Sequence, residues 1–275
     1  MKARLTLALP KGRLLDGALD LLRALGVDGV DQDSRRLIFT DPGSGLRMLF
    51  LKPVDIPAYV LYGAADVGIV GKDILLEQEP DVYEPLDLGF GFCRLVVAEP
   101  RELRERDDPA KWSWVRVATK YPRLAEQYFT DRGVQVELVR LDGSVELAPL
   151  VGLAERIVDL VQSGETLRAN GLVEVAEITR STARLIVNRA SMKTEHAAVN
   201  ELVDEMKKAL HAPRARTAAR MVSTVRWISG ATVSGERSSA ATTASIPARA
   251  SSVRMITGRL GARSAAPSSS RRRAR

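Results

Sequence analysis

The sequence predicts an α/β protein of two lobes, each built on a mostly parallel sheet, around a hinged cleft. Three observations predict it. Strand-length apolar runs end repeatedly in short turns that carry a base and open a helical pattern, as in a helix-covered parallel sheet with its ligand crevice at the carboxyl ends of the strands. The pattern pauses over the polar run 99–113 and restarts at Val115, which marks a second lobe. Two more strands and a helix follow that lobe, so the chain leaves the first lobe, builds the second and returns; two crossings make a hinge, with the site expected between the lobes. The expected divisions are 1–94 with 174–210 for the first lobe, 95–173 for the second, and a basic low-complexity tail over 211–275.

The first unit is the apolar strand Leu5–Leu9, the turn Pro10-Lys11-Gly12-Arg13, and a helix from the spacing of Leu14, Leu15, Ala18, Leu21, Leu22 and Leu25. Arg36–Thr40 and Leu46–Leu51 read as a hairpin or neighbouring strands about a Pro-Gly turn. Lys52-Pro53 leads to Asp55 as the cap of a short helix ending at Gly63. Ala65–Val70 is a buried strand, and Gly71-Lys72-Asp73 turns it into the next helix. Asp81–Asp87 crosses to a strand at Phe92–Ala98. In the second lobe, Val115–Ala118 runs into the turn Thr119–Pro122, a helix to Gly133 and the strand Val136–Leu141. Ile157–Val161, the turn Gln162-Ser163-Gly164-Glu165 and a helix opening at Thr166 come next. Strands over 173–178 and 184–188 and an amphipathic helix from Thr194 to about Leu210 close the body.

Charge divides the chain. Residues 211–275 hold 13 Arg, no Lys and one acid, a net of +12, which leaves 28 basic and 33 acidic residues, a net of −5, in 1–210. The basic character belongs to the tail, so no nucleic-acid partner is expected for the body, and the tail is the one place where such a partner stays open. A single cysteine, Cys93, allows no internal disulfide and gives no metal-ligand pattern, in keeping with a cytoplasmic location. Only two histidines, His196 and His211, exist, both near or past the end of the body, which argues against histidine acid–base chemistry. No stretch approaches the roughly 20 apolar residues of a membrane span.

Ser163-Gly164-Glu165-Thr166 reads either as a phosphate cradle, with backbone N–H groups and two hydroxyls at a helix start, or as an ordinary turn. Lys11, Arg13, Lys52, Lys72 and Lys120 share one topological position at the ends of strands, which suits a polyphosphate. Asp73, Glu146 and Asp159 beside them suit sugar hydroxyls or magnesium. Asp159 interrupts an apolar run, where a carboxylate needs hydrogen bonds or an exposed strand end; a structural acid is the rival. For Glu146 the rival is a helix cap. Cys93 reads as a small buried hydrophobe.

Ala8-Leu9-Pro10-Lys11-Gly12-Arg13, Asp55-Ile56-Pro57 with Tyr59-Val60, Ala65–Asp73, Ala118–Pro122, and Gly143–Pro149 continuing through Thr166-Leu167 resemble, in order and spacing, the ATP phosphoribosyltransferase family. The resemblance covers about residues 3–208. It implies that N1 of the adenine of ATP attacks C1 of phosphoribosyl pyrophosphate, releasing pyrophosphate with substrate-bound Mg2+, as the first step of histidine biosynthesis. It assigns the 5-phosphate to Ser163, Gly164 and Thr166 with the backbone of Gln162 and Glu165, and the ribose hydroxyls to Asp159 and Glu146. Lys72 and Asp73 join these as substrate-binding positions. Lys11, Arg13 and Lys52 fall to the pyrophosphate and count as catalytic. Lys52 stands where many relatives carry Arg, which trades a bidentate fork for a point charge. The family also implies a short form without a histidine-binding domain, working with a regulatory subunit that resembles a histidyl-tRNA synthetase.

The hinged pair of lobes is also the plan of type II periplasmic binding proteins, so a solute-binding module without catalysis is the alternative. The tail, rich in Ala, Ser, Thr and Arg, lacks the periodicity of a folded domain. Its readings are a disordered basic extension, a nucleic-acid-binding arm, or reading-frame junk.

Overall fold

The computed structural model describes residues 5–28 and 36–211. It begins with β1 (Thr6–Pro10), α1 (Leu15–Ala24), β2 (Ile38–Thr40) and β3 (Arg47–Leu51). A one-turn 3-10 segment, Pro53–Asp55, leads into α2 (Ile56–Leu61), β4 (Val67–Gly71), α3 (Lys72–Gln78) and β5 (Tyr83–Asp87). Then come β6 (Cys93–Pro100), α4 (Arg101–Arg104), β7 (Trp114–Thr119), α5 (Pro122–Thr130), β8 (Gln135–Arg140), β9 (Arg156–Val161), α6 (Glu165–Ala169) and β10 (Leu172–Ser181). β11 (Ala183–Val187), α7 (Ser191–Thr194) and α8 (His196–His211) complete it. The Arg-rich tail lies outside the described residues from 212 onward. Among the described residues no helix is long and apolar enough to cross a membrane.

Two sheets form, in the strand orders β2-β3-β1-β4-β11-β5 and β10-β6-β9-β7-β8. The strands that feed helices pair in parallel, β3-β1-β4 in the first sheet and β9-β7-β8 in the second. Antiparallel pairings join β10, β6 and β9, and also β4, β11 and β5. Each of these pairings includes at least one of β5, β6, β10 and β11, the strands that flank the passages between sheets, where no helical crossover intervenes to force a parallel neighbour. The sheet changes at 88–92 and again at Thr182. There the two passages run side by side, with the Leu88 N–H donating to the Ala183 carbonyl and the Ala183 N–H to the Phe90 carbonyl, both at 2.9 Å. Strand β10 pairs with β6 along its length, so the return comes at Thr182 rather than at residue 174. Bidentate Arg94–Glu174 contacts at 2.7 and 3.0 Å pin that pairing across the two strands.

The Pro-Gly turn between β2 and β3 closes a hairpin. Its Asp41 carboxylate accepts from both the backbone N–H and the hydroxyl of Ser44 at 2.7 Å, bonds that favour the ionised form and hold its pKa below the ordinary carboxylate range. Apolar clusters cover both faces of each sheet. Leu7, Leu9, Met48 and Ile69 pack under α1 and α8, while Ile56, Val60 and Leu75 pack on the opposite face. In the second sheet Leu95, Val117 and Phe129 fill one face and Val96, Ile157 and Leu167 the other. Val199, Val203 and Met206, spaced four and three apart, are the buried stripe of α8. Sheets covered in this way leave only their strand ends for chemistry.

Candidate active site

The site residues expected from the sequence lie in or beside the turns that follow β1, β3, β4, β7, β8 and β9. Lys11 is exposed directly after β1, and its backbone N–H donates to the Leu51 carbonyl at 2.8 Å, which sets it beside Lys52 at the end of β3. Arg13, two residues on, donates to the Gly91 carbonyl at 2.7 Å and to the Cys93 thiol at 3.4 Å. The same side chain is exposed, so part of its five-donor fork is left for an anion. It thereby ties the first turn to the passage between sheets. Burial pushes the Cys93 thiol up, against the pull of the Arg13 charge, and Cys93 stays a buried thiol as its sequence context implied.

A cavity of about 210 Å³ is lined by Lys52, Pro53, Val54, Ile74, Glu77, Gln78, Lys120 and Tyr121. It therefore joins the end of β3 in the first sheet to the end of β7 in the second. Lys120 also belongs to a second group. The Asp159 carboxyl is pushed up to about 6 by burial and by the Glu146 charge, with the bond from the Leu160 N–H and the Lys120 charge opposing. Lys120 is the member common to the cavity and the acid pair. Glu146 sits inside the 3-10 turn Val145–Leu147, behind Ser144 at a left-handed φ of +52°, rather than at the start of a helix. That backbone is uncommon for a residue with a side chain, and it presents Glu146 toward the end of β9.

The loop after β9 turns at Gly164, where φ is +75°. Glycine suits this position twice over. An L side chain is strained at this φ, and a Cβ there would stand 3.0 Å from the Arg168 guanidinium. Arg168 donates to the Ser163 carbonyl at 3.1 Å, and the Ser163 hydroxyl accepts from the Glu165 N–H at 3.4 Å. Gln162, Ser163, Glu165 and Thr166 are exposed around this turn. Asp159 stands at the carboxyl end of the same strand, three residues ahead of it.

Two expected ligand positions are committed elsewhere. Asp73 is 3 % exposed: its Oδ1 accepts from the Ser181 hydroxyl at 2.6 Å and its Oδ2 from the Tyr121 hydroxyl at 2.9 Å. The Ser181 Oγ in turn accepts from the Asp73 N–H at 3.0 Å. Burial and the adjoining Asp73 carboxylate push the Tyr121 phenol well up, so it stays a donor. Lys72 is held by Glu84 at 2.6 Å, and Glu84 is shared with Arg184. Lys72 and Asp73 thus face the scaffold in this structure. Tyr121 and Glu77 were not singled out from the sequence as site residues. Tyr121 stood inside a recognisable motif, whereas Glu77 carried no signal of its own. Among the described residues no group of three or more His, Cys, Asp or Glu is placed to hold a metal.

Comparison with known proteins bears on the family of the chain. The family model described as ATP phosphoribosyltransferase matches residues 52–208. A protein of that name from Syntrophotalea carbinolica is 55% identical over 212 residues, 76% of this chain and 97% of the relative. Another, from Geobacter metallireducens, is 55% identical over 206 residues, covering 74% and 97%. Among solved structures, the ATP phosphoribosyl transferase (HisG:HisZ) complex from Thermotoga maritima contains a chain that aligns with a TM-score of 0.66 at 32% identity, covering 76% of this chain and all of that one. Tv2483 bound to L-arginine aligns with a TM-score of 0.52 at 12% identity, covering 75% of this chain and 83% of that one, a likeness of fold alone.

Proposed function

Because this chain belongs to the ATP phosphoribosyltransferase family, we propose that the turns around Lys120 form the seat of its reaction. The enzyme transfers the 5-phosphoribosyl group of phosphoribosyl pyrophosphate to N1 of ATP and releases pyrophosphate, the first step of histidine biosynthesis. A solute-binding module is not favoured, since close relatives over nearly their whole length carry the transferase name.

The observation that carries the site is the double membership of Lys120, in one cavity with Lys52 and in one electrostatic group with Asp159 and Glu146. In the reading it supports, the Gly164 turn takes the 5-phosphate through the Ser163 and Thr166 hydroxyls and the backbone of Gln162, Gly164 and Glu165. Asp159 and Glu146 meet the ribose hydroxyls. Lys11, Lys52 and the exposed face of Arg13 meet the pyrophosphate. Lys72 and Asp73, though substrate-binding by family pattern, act from behind by fixing the start of α3.

The chemistry asks little of proton transfer. Adenine N1 already holds a lone pair, and the bond from C1 to the pyrophosphate oxygen breaks as the bond from C1 to N1 forms. The protein has to align two anionic substrates and neutralise the departing pyrophosphate. Magnesium arrives as part of the substrate, held mainly by phosphate oxygens. Two neighbouring acids, one with its acidity already suppressed by burial and then by the charge of the other, suit the approach of a cation carried by the ligand better than a site of their own. The two sheets are read as two lobes moving about the paired passages, in a cytoplasmic enzyme. The solved Thermotoga relative is a complex, and by that analogy this chain works with a regulatory subunit resembling a histidyl-tRNA synthetase.

The test is direct. The purified chain and its partner, given ATP, phosphoribosyl pyrophosphate and Mg2+, are expected to yield phosphoribosyl-ATP. Absence of that product, with both proteins folded, would overturn the reading.

A further inference from the structure

Helices α3 and α5 belong to different sheets, yet each caps the other. Helix α5 starts with Pro122, which has no N–H, so the first free donors of that helix are the backbone groups of Arg123 and Leu124. Both go to one side chain across the cleft: the Arg123 N–H donates to Glu77 Oε1 at 2.9 Å and the Leu124 N–H to Glu77 Oε2 at 3.0 Å. The return contact is as complete. Arg123 Nε donates to the Glu77 carbonyl at 3.1 Å and its Nη2 to the Leu76 carbonyl at 2.6 Å, which are orphan acceptors in the last turn of α3. Glu79 pairs with the same guanidinium. An acid at one helix start and a cation at the other helix end are each the sign the helix dipole favours.

The position of this double cap gives it a consequence for the reaction. Lys120 and Tyr121 immediately precede Pro122, so what fixes the start of α5 fixes them. On the other side, Gln78 Nε2 donates to the Val54 carbonyl at 2.8 Å, tying α3 to the 3-10 turn that follows Lys52. Glu77 and Gln78 both line the cavity that holds Lys52 and Lys120. We propose that Glu77 and Arg123 are positioning residues for the transfer: their reciprocal cap sets the separation of Lys52 and Lys120, and with it the distance between the pyrophosphate and ribose ends of the site. The proposal rests on the transferase reading above. It assigns the two residues no contact with substrate; they act through Lys120 and Lys52.

A role of this kind lowers turnover more than substrate affinity, because misalignment is felt when the reacting atoms must meet. The experiment uses the full chain with its partner subunit. Glu77→Ala, Arg123→Ala, the double variant, Glu77→Gln and Arg123→Lys are compared by steady-state kinetics, with hydrogen exchange of the Arg123 and Leu124 amides measured in parallel. Glu77→Ala is expected to speed exchange at those two amides at least about tenfold and to lower kcat by about tenfold, with both KM values within about threefold of wild type. Glu77→Gln and Arg123→Lys, which each keep one of the bonds, should recover part of kcat. The double variant should be no worse than the weaker single, since the two caps work as one unit. Wild-type kcat in Glu77→Ala despite lost amide protection would overturn the proposal, as would losses that simply add in the double variant. If Glu77→Ala does not fold, Glu77→Gln carries the same comparison. A wild-type chain that makes no product with its partner would overturn the transferase reading and this role together, while protected amides in that chain would still confirm the cap itself.

Discussion

Asp159→Asn should make this protein more stable and less active at once. In the folded chain the Asp159 carboxyl is pushed from an ordinary 3.8 up to about 6, first by burial and then by the Glu146 charge. At about 1.4 kcal/mol per tenfold change in proton affinity, the ionised side chain costs the fold up to about 3 kcal/mol above pH 6. The sign follows from the direction of the shift. Between about pH 4 and 6 the folded chain binds the proton that the unfolded chain has lost, so this group's contribution falls as pH rises through that window. Asparagine has no charge to desolvate, and its side-chain oxygen can still accept the 2.8 Å bond that the Leu160 N–H makes to Asp159 Oδ1. Because Asp159 is only half-buried, a gain of about 1–3 kcal/mol at pH 8 is expected, or roughly 3–10 °C in Tm. At pH 5 the gain should shrink to about half. Turnover should fall at least about tenfold, and the acid limb of kcat/KM near pH 6 should disappear. Melts at pH 8 and pH 5, paired with a pH–rate profile, check all three. A variant that is destabilised at pH 8, or whose stability gain does not depend on pH, would refute the reasoning, and so would wild-type turnover.

Three further outcomes are expected. Thr166→Ala should lower turnover at least about tenfold with Tm little changed, because its hydroxyl is exposed at the loop and holds nothing in the fold; wild-type rates would remove Thr166 from the site. Arg156→Ala should cost about 3–5 kcal/mol in urea melts, since it strips Glu99, which has no exposed surface, of its 2.9 Å partner. Replacing Glu99 and Arg156 together by leucine should recover most of that loss, and a double variant as unstable as the single would argue against an uncompensated charge as the cause. Ending the chain after His211 should leave phosphoribosyl-ATP formation with the partner within about twofold of the full chain, measured under identical conditions; collapse of activity would show that the tail is required.

The sequence conveyed the parts whose causes are local. Strand, glycine turn and helix start at 157–167 follow from an apolar run and a residue that tolerates a positive φ, and α8 follows from apolar spacing along one face. The destination of β10 was not local. The run 173–178 is recognisable as a strand, but nothing in its composition says which sheet it joins. That is decided by pairing with β6, about 80 residues away, and by the Arg94–Glu174 contact.

Asp73 and Asp159 show where such reading ends for a site. Each is an acid close to where a buried strand gives way to a helix, Asp159 within β9 and Asp73 just after β4. Their partners separate them. Asp73 receives hydroxyls from Tyr121 and Ser181, 48 and 108 residues away, one on each oxygen, and is buried. Asp159 has one bond, from the next residue's own N–H, and faces another acid and a lysine. An acid left short of donors beside a cationic turn is suited to ligand hydroxyls, whereas a satisfied acid is suited to holding two sheets together. The same contrast explains Lys72, held by Glu84, against Lys120, which faces the cavity. What separates these charged residues is therefore whether each has a folded-state partner, a property of the tertiary structure that no spacing of residues along the chain encodes.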